Sequence, residues 1–208
     1  MKKRVGIFLL VGMLVLGCVS FCKAEDSSRR FGIGINGGVA IPGDPYSNVT
    51  ADCGAAGGIN LSYLVSPHIG FELGISRFKT GWENTSGIDM GDLTVTPITL
   101  VAKYRILPEK LVNPYLGVGV VYFINSFDIS DRYRQLNYGA ELEVDNAFGF
   151  AASAGLEFKL TKSLFVDLDV KYVAAEAGAR WKLSSTTQER EDADLGTAMI
   201  GLGAKYYF

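Results

Sequence analysis

The chain has 208 residues, of which 48% are hydrophobic, and carries a formal net charge of -2 with an isoelectric point near 5.5. That length allows one domain or two small ones, and the charge leaves no basic footprint for nucleic acid. Beyond the first two dozen residues no apolar run is long enough to cross a bilayer as a helix, so any membrane contact there falls to strands.

The opening MKKRVGIFLLVGMLVLGCVSFCKA places Lys2, Lys3 and Arg4 before an apolar stretch from Val5 to about Val19, the pattern of a secretory signal peptide over residues 1-24. Cleavage after Ala24 is the preferred reading. The alternative is a lipobox, Val15-Leu16-Gly17-Cys18, that would leave a lipidated Cys18. Under the first reading Cys53 is the sole cysteine of the mature chain 25-208, and it cannot form an internal disulfide.

The first mature segment, FGIGINGG, contains the Gly-x-Gly-x-x-Gly spacing of a phosphate loop. Such a loop needs a helix at its third glycine, and VAIPGDP forbids one. Phe31, Ile33, Ile35, Val39 and Ile41 alternate with Gly32, Gly34, Asn36, Gly38 and Ala40, which is a strand with one apolar face and one small face. Small residues suit a crowded barrel interior, so the glycines of FGIGINGG are expected to face a lumen.

Further runs follow. Ile59, Leu61, Tyr63 and Val65 alternate with small or polar residues up to the turn Ser66-Pro67-His68. Ile69, Phe71, Leu73 and Ile75 oppose Gly70, Glu72, Gly74 and Ser76. A fourth run, Leu93 to Ile106, changes parity near Pro97, which predicts a bulge or irregular start there. The fifth sets Leu116, Val118, Val120, Tyr122 and Ile124 against Tyr115, Gly117, Gly119, Val121 and Phe123. The sixth, Phe148 to Leu160, and the seventh, Leu164 to Tyr172, flank the turn Thr161-Lys162-Ser163, and TAMIGLGAKYYF closes the chain.

Eight strands of roughly 10 residues, with short turns alternating with long polar connections near 43-52, 80-92, 126-146 and 175-195, predict an all-β fold. The expected architecture is an eight-stranded antiparallel up-and-down transmembrane β-barrel, to be found in the cell outer membrane of a Gram-negative bacterium. Closure satisfies every backbone group without water. Both termini and the short turns are expected in the periplasm. Tyr63, Tyr104, Phe158, Tyr172 and Tyr206 are candidates for the interfacial girdles.

Inner parity collects nine charges, Glu72, Lys103, Arg105, Glu157, Lys159, Asp167, Asp169, Lys171 and Lys205, toward the turn ends of their strands. Five cations beside four carboxylates read as a salt-bridge plug rather than a metal cage. Phe78, Val121, Phe123, Val173 and Met199 lie farther along the strands and form a candidate apolar pathway. No cofactor site is evident. The single histidine, His68, sits in a turn, far from where a base acting on outer-leaflet lipid would be needed, which argues against catalysis. Tyr46, Trp82, Phe127, Tyr133, Tyr138 and Trp181 would be the contact residues if the long connections served adhesion.

The segment TPITLVAKYRILPEKLVNPYLGVGVVYF, with its Pro-x-Thr strand, short turn and PY-x-G-x-G strand, resembles the OmpW family of small outer-membrane proteins, and the closing GLGAKYYF is similar too. The resemblance implies an eight-stranded barrel embedded in outer-membrane lipid that passes small hydrophobic solutes without catalysis or a cofactor. The alternation ending in Tyr206 and Phe208 is expected to be the signal read by the barrel insertion machinery.

Overall fold

A computed structural model describes residues 30–43, 49–84, 89–129, 141–182 and 188–208. Residues 1-24, expected to form a signal peptide, and Tyr46, Tyr133 and Tyr138 lie outside the described residues. The strands are β1 Phe31–Pro42, β2 Val49–Ala51, β3 Gly54–Leu64, β4 Ile69–Asn84, β5 Asp89–Arg105, β6 Val112–Ile129, β7 Glu141–Val144, β8 Ala147–Lys159, β9 Leu164–Ala174, β10 Glu176–Lys182, β11 Gln188–Asp194 and β12 Thr197–Tyr207.

Eight of them close a barrel in the order β1-β3-β4-β5-β6-β8-β9-β12, every neighbour antiparallel and β12 paired back onto β1 from Gly32↔Tyr207 to Pro42↔Thr197. β2 adds to the end of β4, and β7, β10 and β11 form a separate small sheet. Closure consumes the sheet edges, which is what a backbone in hydrocarbon requires. The first and last wall strands meet at their ends: the Phe208 amide donates to the Phe31 carbonyl at 2.8 Å.

Three tight connections share the rim that carries the termini, called here the terminal rim. In one, the Ser66 hydroxyl accepts from the Ile69 amide at 3.0 Å. In another, the Thr161 hydroxyl accepts from Ser163 at 3.2 Å and Leu164 at 3.0 Å. In the third, Asn113 Oδ1 accepts from the Leu107 amide at 2.9 Å. Side-chain acceptors thus replace ladder partners where the chain reverses.

Outward positions along the middle of the wall are apolar and exposed, among them Ile33, Ile35, Ile59, Leu61, Leu73, Ile75, Leu116, Val118, Phe150, Leu168, Val170, Ile200 and Leu202. Gly32, Gly34, Gly70 and Gly117 are buried on the inner face. Gly37 is the exception within FGIGINGG: the strict alternation of β1 turns it outward.

The strands run well past the expected ends. β4 continues to Asn84, β5 starts at Asp89 and β6 reaches Ile129, so Trp82 and Phe127 belong to strands and not to loops. The physical reason is an inversion of the pattern. Beyond Ile75 the outward residues of β4 are Arg77 and Lys79, and those of β5 are Asp92, Thr94 and Thr96, whereas Phe78, Trp82, Leu93 and Val95 are buried inside. Once the wall leaves hydrocarbon, water takes the outer face and the apolar face turns in, so one strand carries two opposite alternations.

The apparent change of parity near Pro97 has the same origin. The β4–β5 ladder omits the pairs opposite Thr96 and Pro97, as a residue without an N–H dictates, and resumes in unchanged register from Ile75↔Ile98 to Phe78↔Val95. The register shift lies instead between Trp82 and Glu83, facing Gly91, whose φ of 136° suits glycine.

Candidate functional site

The lumen has two layers. Toward the terminal rim, Lys205 lies 2.9 Å from Glu72, 3.4 Å from Asp167 and 3.8 Å from Glu157. Lys103 donates to Glu72 at 2.7 Å, and Lys171 lies 3.9 Å from both Glu72 and Asp169. Arg105 Nε donates to Glu157 Oε2 at 2.9 Å, and the same oxygen accepts from Asn113 Nδ2 at 3.1 Å. The Tyr115 hydroxyl donates to Asp169, and the Lys103 ammonium stands 4.4 Å above the Tyr115 ring.

Four cations therefore meet four carboxylates: Lys103, Arg105, Lys171 and Lys205 against Glu72, Glu157, Asp167 and Asp169. They come from β4, β5, β8, β9 and β12, every one on the inner parity of its strand. Lys205 is only 2% exposed, and a charge so far from water requires this degree of pairing. Lys159 does not join them. It sits half-buried opposite Phe165 at the last rung of β8 and β9, with no ion pair among the described residues.

Inner glycines supply the room. A Cβ on Gly34 would lie 2.5 Å from Asn60 Oδ1 and 2.8 Å from Lys205 Cγ, and one on Gly155 would lie 2.5 Å from the Tyr115 hydroxyl. Below the ion pairs Phe165 and Tyr207 meet edge-on, centroids 5.3 Å apart, with the Arg105 guanidinium 5.7 Å from the Phe165 ring.

Toward the far rim, Phe78, Val121, Phe123 and Val173 are buried in one apolar cluster, and Met199 packs against it half-buried. The cluster also holds residues not assigned to the apolar pathway from sequence: Ala40, Trp82, Leu93, Val95, Val101 and Leu195. Trp82 and Phe127 meet edge-on at 5.2 Å, with Trp82 buried rather than offered to a partner at the surface. The inverted alternation of Phe78, Thr80 and Trp82 against Arg77 and Lys79 was the signal available in the sequence.

Little space remains. A cavity of about 40 Å³ lies where the layers meet, bordered by Asn60, Asp167, Lys171 and Met199 and reaching the wall at Gly38 and Gly201. A second, of about 20 Å³, touches Phe78, Trp82, Leu93 and Phe123. Such volumes hold a few waters. Among the described residues no group of three or more His, Cys, Asp or Glu is placed to hold a metal ion. His68 is exposed on the terminal rim, its ring stacked at 6.1 Å on Tyr104.

The OmpW family pattern matches residues 44–208. Outer membrane protein W of Vibrio cholerae is 26% identical over 159 residues, covering 73% of this chain and 72% of that protein. Outer membrane protein W of Escherichia coli K12 is 25% identical with the same coverages. Among solved structures, OprG from Pseudomonas aeruginosa superimposes with a TM-score of 0.67 at 20% identity, covering 86% of this chain and 97% of that one. AlkL in lipid bilayers gives 0.64 at 17%, covering 90% and 94%. With the family pattern spanning most of the sequence and the closed eight-stranded wall reproduced in both structures, the chain belongs to the OmpW family and is an outer-membrane β-barrel.

Proposed function

We propose that the barrel passes small hydrophobic molecules across the outer membrane, with the long connections outside and the terminal rim in the periplasm. The observation that carries this reading is the layered lumen: a packed apolar layer above, and below it eight charged side chains paired across the bore. Water and ions find no straight passage through such a filling, while an apolar solute gains by leaving water for the Phe78, Val121, Phe123, Val173 and Met199 surface.

Below that surface the ion-paired plug blocks the axis, so the solute leaves sideways between strands into the bilayer. Gly38 faces Gly201 across the β1–β12 seam beside the larger cavity, and the wall there is backbone alone. No catalytic step or cofactor is part of this reading.

Uptake of a hydrophobic solute by cells expressing Phe123→Asp or Met199→Lys tests it. The expected result is a several-fold loss of uptake with normal surface levels of the heat-modifiable barrel. Met199 is half-buried whereas Phe123 is fully buried, so Met199→Lys is the milder test of the same layer. Uptake unchanged in both variants overturns the pathway.

A further inference from the structure

On the outer surface of the wall, Arg77 is the first charged residue beyond the apolar outward series Ile69, Phe71, Leu73 and Ile75 of β4, and Lys79 is the second. Lys79 is engaged with Asp92 at 2.7 Å, whereas Arg77 makes no ion pair or hydrogen bond among the described residues. Directly across the ladder from Arg77 stands Gly57, and across from Gly57 stands Gly37, both exposed on the outward face. A Cβ on either would meet nothing closer than 3.7 Å, so the surface there is open.

Isoleucines flank this row on one side: Ile75, Ile59 and Ile35 are mutual cross-strand partners. Ala55 and Val39, also partners, flank it on the other, and Leu202 of β12 stands opposite Gly37 at its end. The result is a furrow floored by two glycines, walled by apolar side chains and headed by the exposed Arg77 guanidinium.

Its direction follows from the tilt of the ladder. The line of partners through Ile75, Ile59 and Ile35 continues to Ala204, Val166 and Phe158, the last near the terminal-rim turn. A walk from β4 to β12 along any such line therefore descends toward the terminal rim. The furrow starts with Arg77 at the edge of the apolar band and descends obliquely, Gly37 lying two inter-strand spacings, about 10 Å, along its path.

We propose that this furrow seats one acyl chain of a phosphorylated outer-leaflet glycolipid of the lipid A type, with its phosphate on Arg77. A phosphate at the water boundary and a chain descending into hydrocarbon match the order guanidinium, glycine, glycine, leucine. A guanidinium binds phosphate through two parallel N–H donors. The assignment rests on outward side chains and on the proposed orientation of the barrel, and it stands apart from the lumen pathway.

Native mass spectrometry of the folded barrel in detergent, titrated with diphosphoryl lipid A, tests the seat. Arms with dephosphorylated lipid A and with phosphatidylglycerol separate the lipid A phosphate from the acyl chains alone and from any anionic lipid. One lipid A should bind per barrel, and Arg77→Gln and Gly57→Leu should each weaken it about tenfold, as losing one charge-assisted contact or the chain's floor implies. Lys162→Gln, at the opposite rim, should change nothing. Heat-modifiable gel mobility verifies folding, and the open surface around Gly57 makes its variant compatible with the native wall. Wild-type affinity in both furrow variants, or equal binding of phosphatidylglycerol, overturns the proposal.

Discussion

At Lys205 a single ammonium lies within 4 Å of three carboxylates while only 2% exposed, so the residue cannot be removed without leaving buried negative charge uncompensated. Lys205→Met should therefore cost about 3–5 kcal/mol of stability. Lys79, whose pair with Asp92 is open to water, should cost less than about 1 kcal/mol when changed to Ala. Urea unfolding in lipid vesicles measures both, and equal small losses would show that the lumen pairs are not desolvated. The inward parity of these charges was legible in the sequence, because a period of two is all it requires. Their partners were not. Lys205 and Glu72 lie on β12 and β4, which share no ladder, so their meeting depends on how the wall closes. Lys159 shows the same limit: it has the right parity but stands at the last rung, where water competes for its ammonium.

At the scale of a strand, the eight wall segments were readable wherever lipid imposes one apolar face, and the far-rim extensions were not. There β4, β5 and β6 reverse their alternation, and a polar outer face beside a half-apolar inner one has the composition of a loop. β7, β10 and β11 carry still less signal, since the alternation of ELEV spans only four residues and EAGARWK and QEREDAD are mostly charged or small. The closing strand makes a separate point. Phe208 is exposed, and its only backbone tie described is the hydrogen bond to Phe31, so its packing contributes little to the barrel. If Tyr206 and Phe208 form the signal read by the insertion machinery, deleting Phe208 should lower outer-membrane levels several-fold while purified protein still refolds into a heat-modifiable barrel. Normal surface levels of the truncated chain would refute that role.

For the whole molecule, the pairing of β1 with β12 puts both ends of the described barrel wall at the rim of the short turns. With that rim in the periplasm, protease added to intact cells should cut only within the connections at the opposite end. An epitope inserted at Lys162 should stay unlabelled until the outer membrane is opened, and its labelling on intact cells would reverse the orientation. The ion pairs across the bore have one more consequence at this scale. Four positive and four negative side chains cancel, so an electric field along the barrel axis pulls the two sets in opposite directions and exerts no net force on the group. A single uncompensated charge carried across the membrane would couple to the potential by about 2.3 kcal/mol per 100 mV, but the cluster offers voltage no such handle. What can displace it is a change in the shape of the wall.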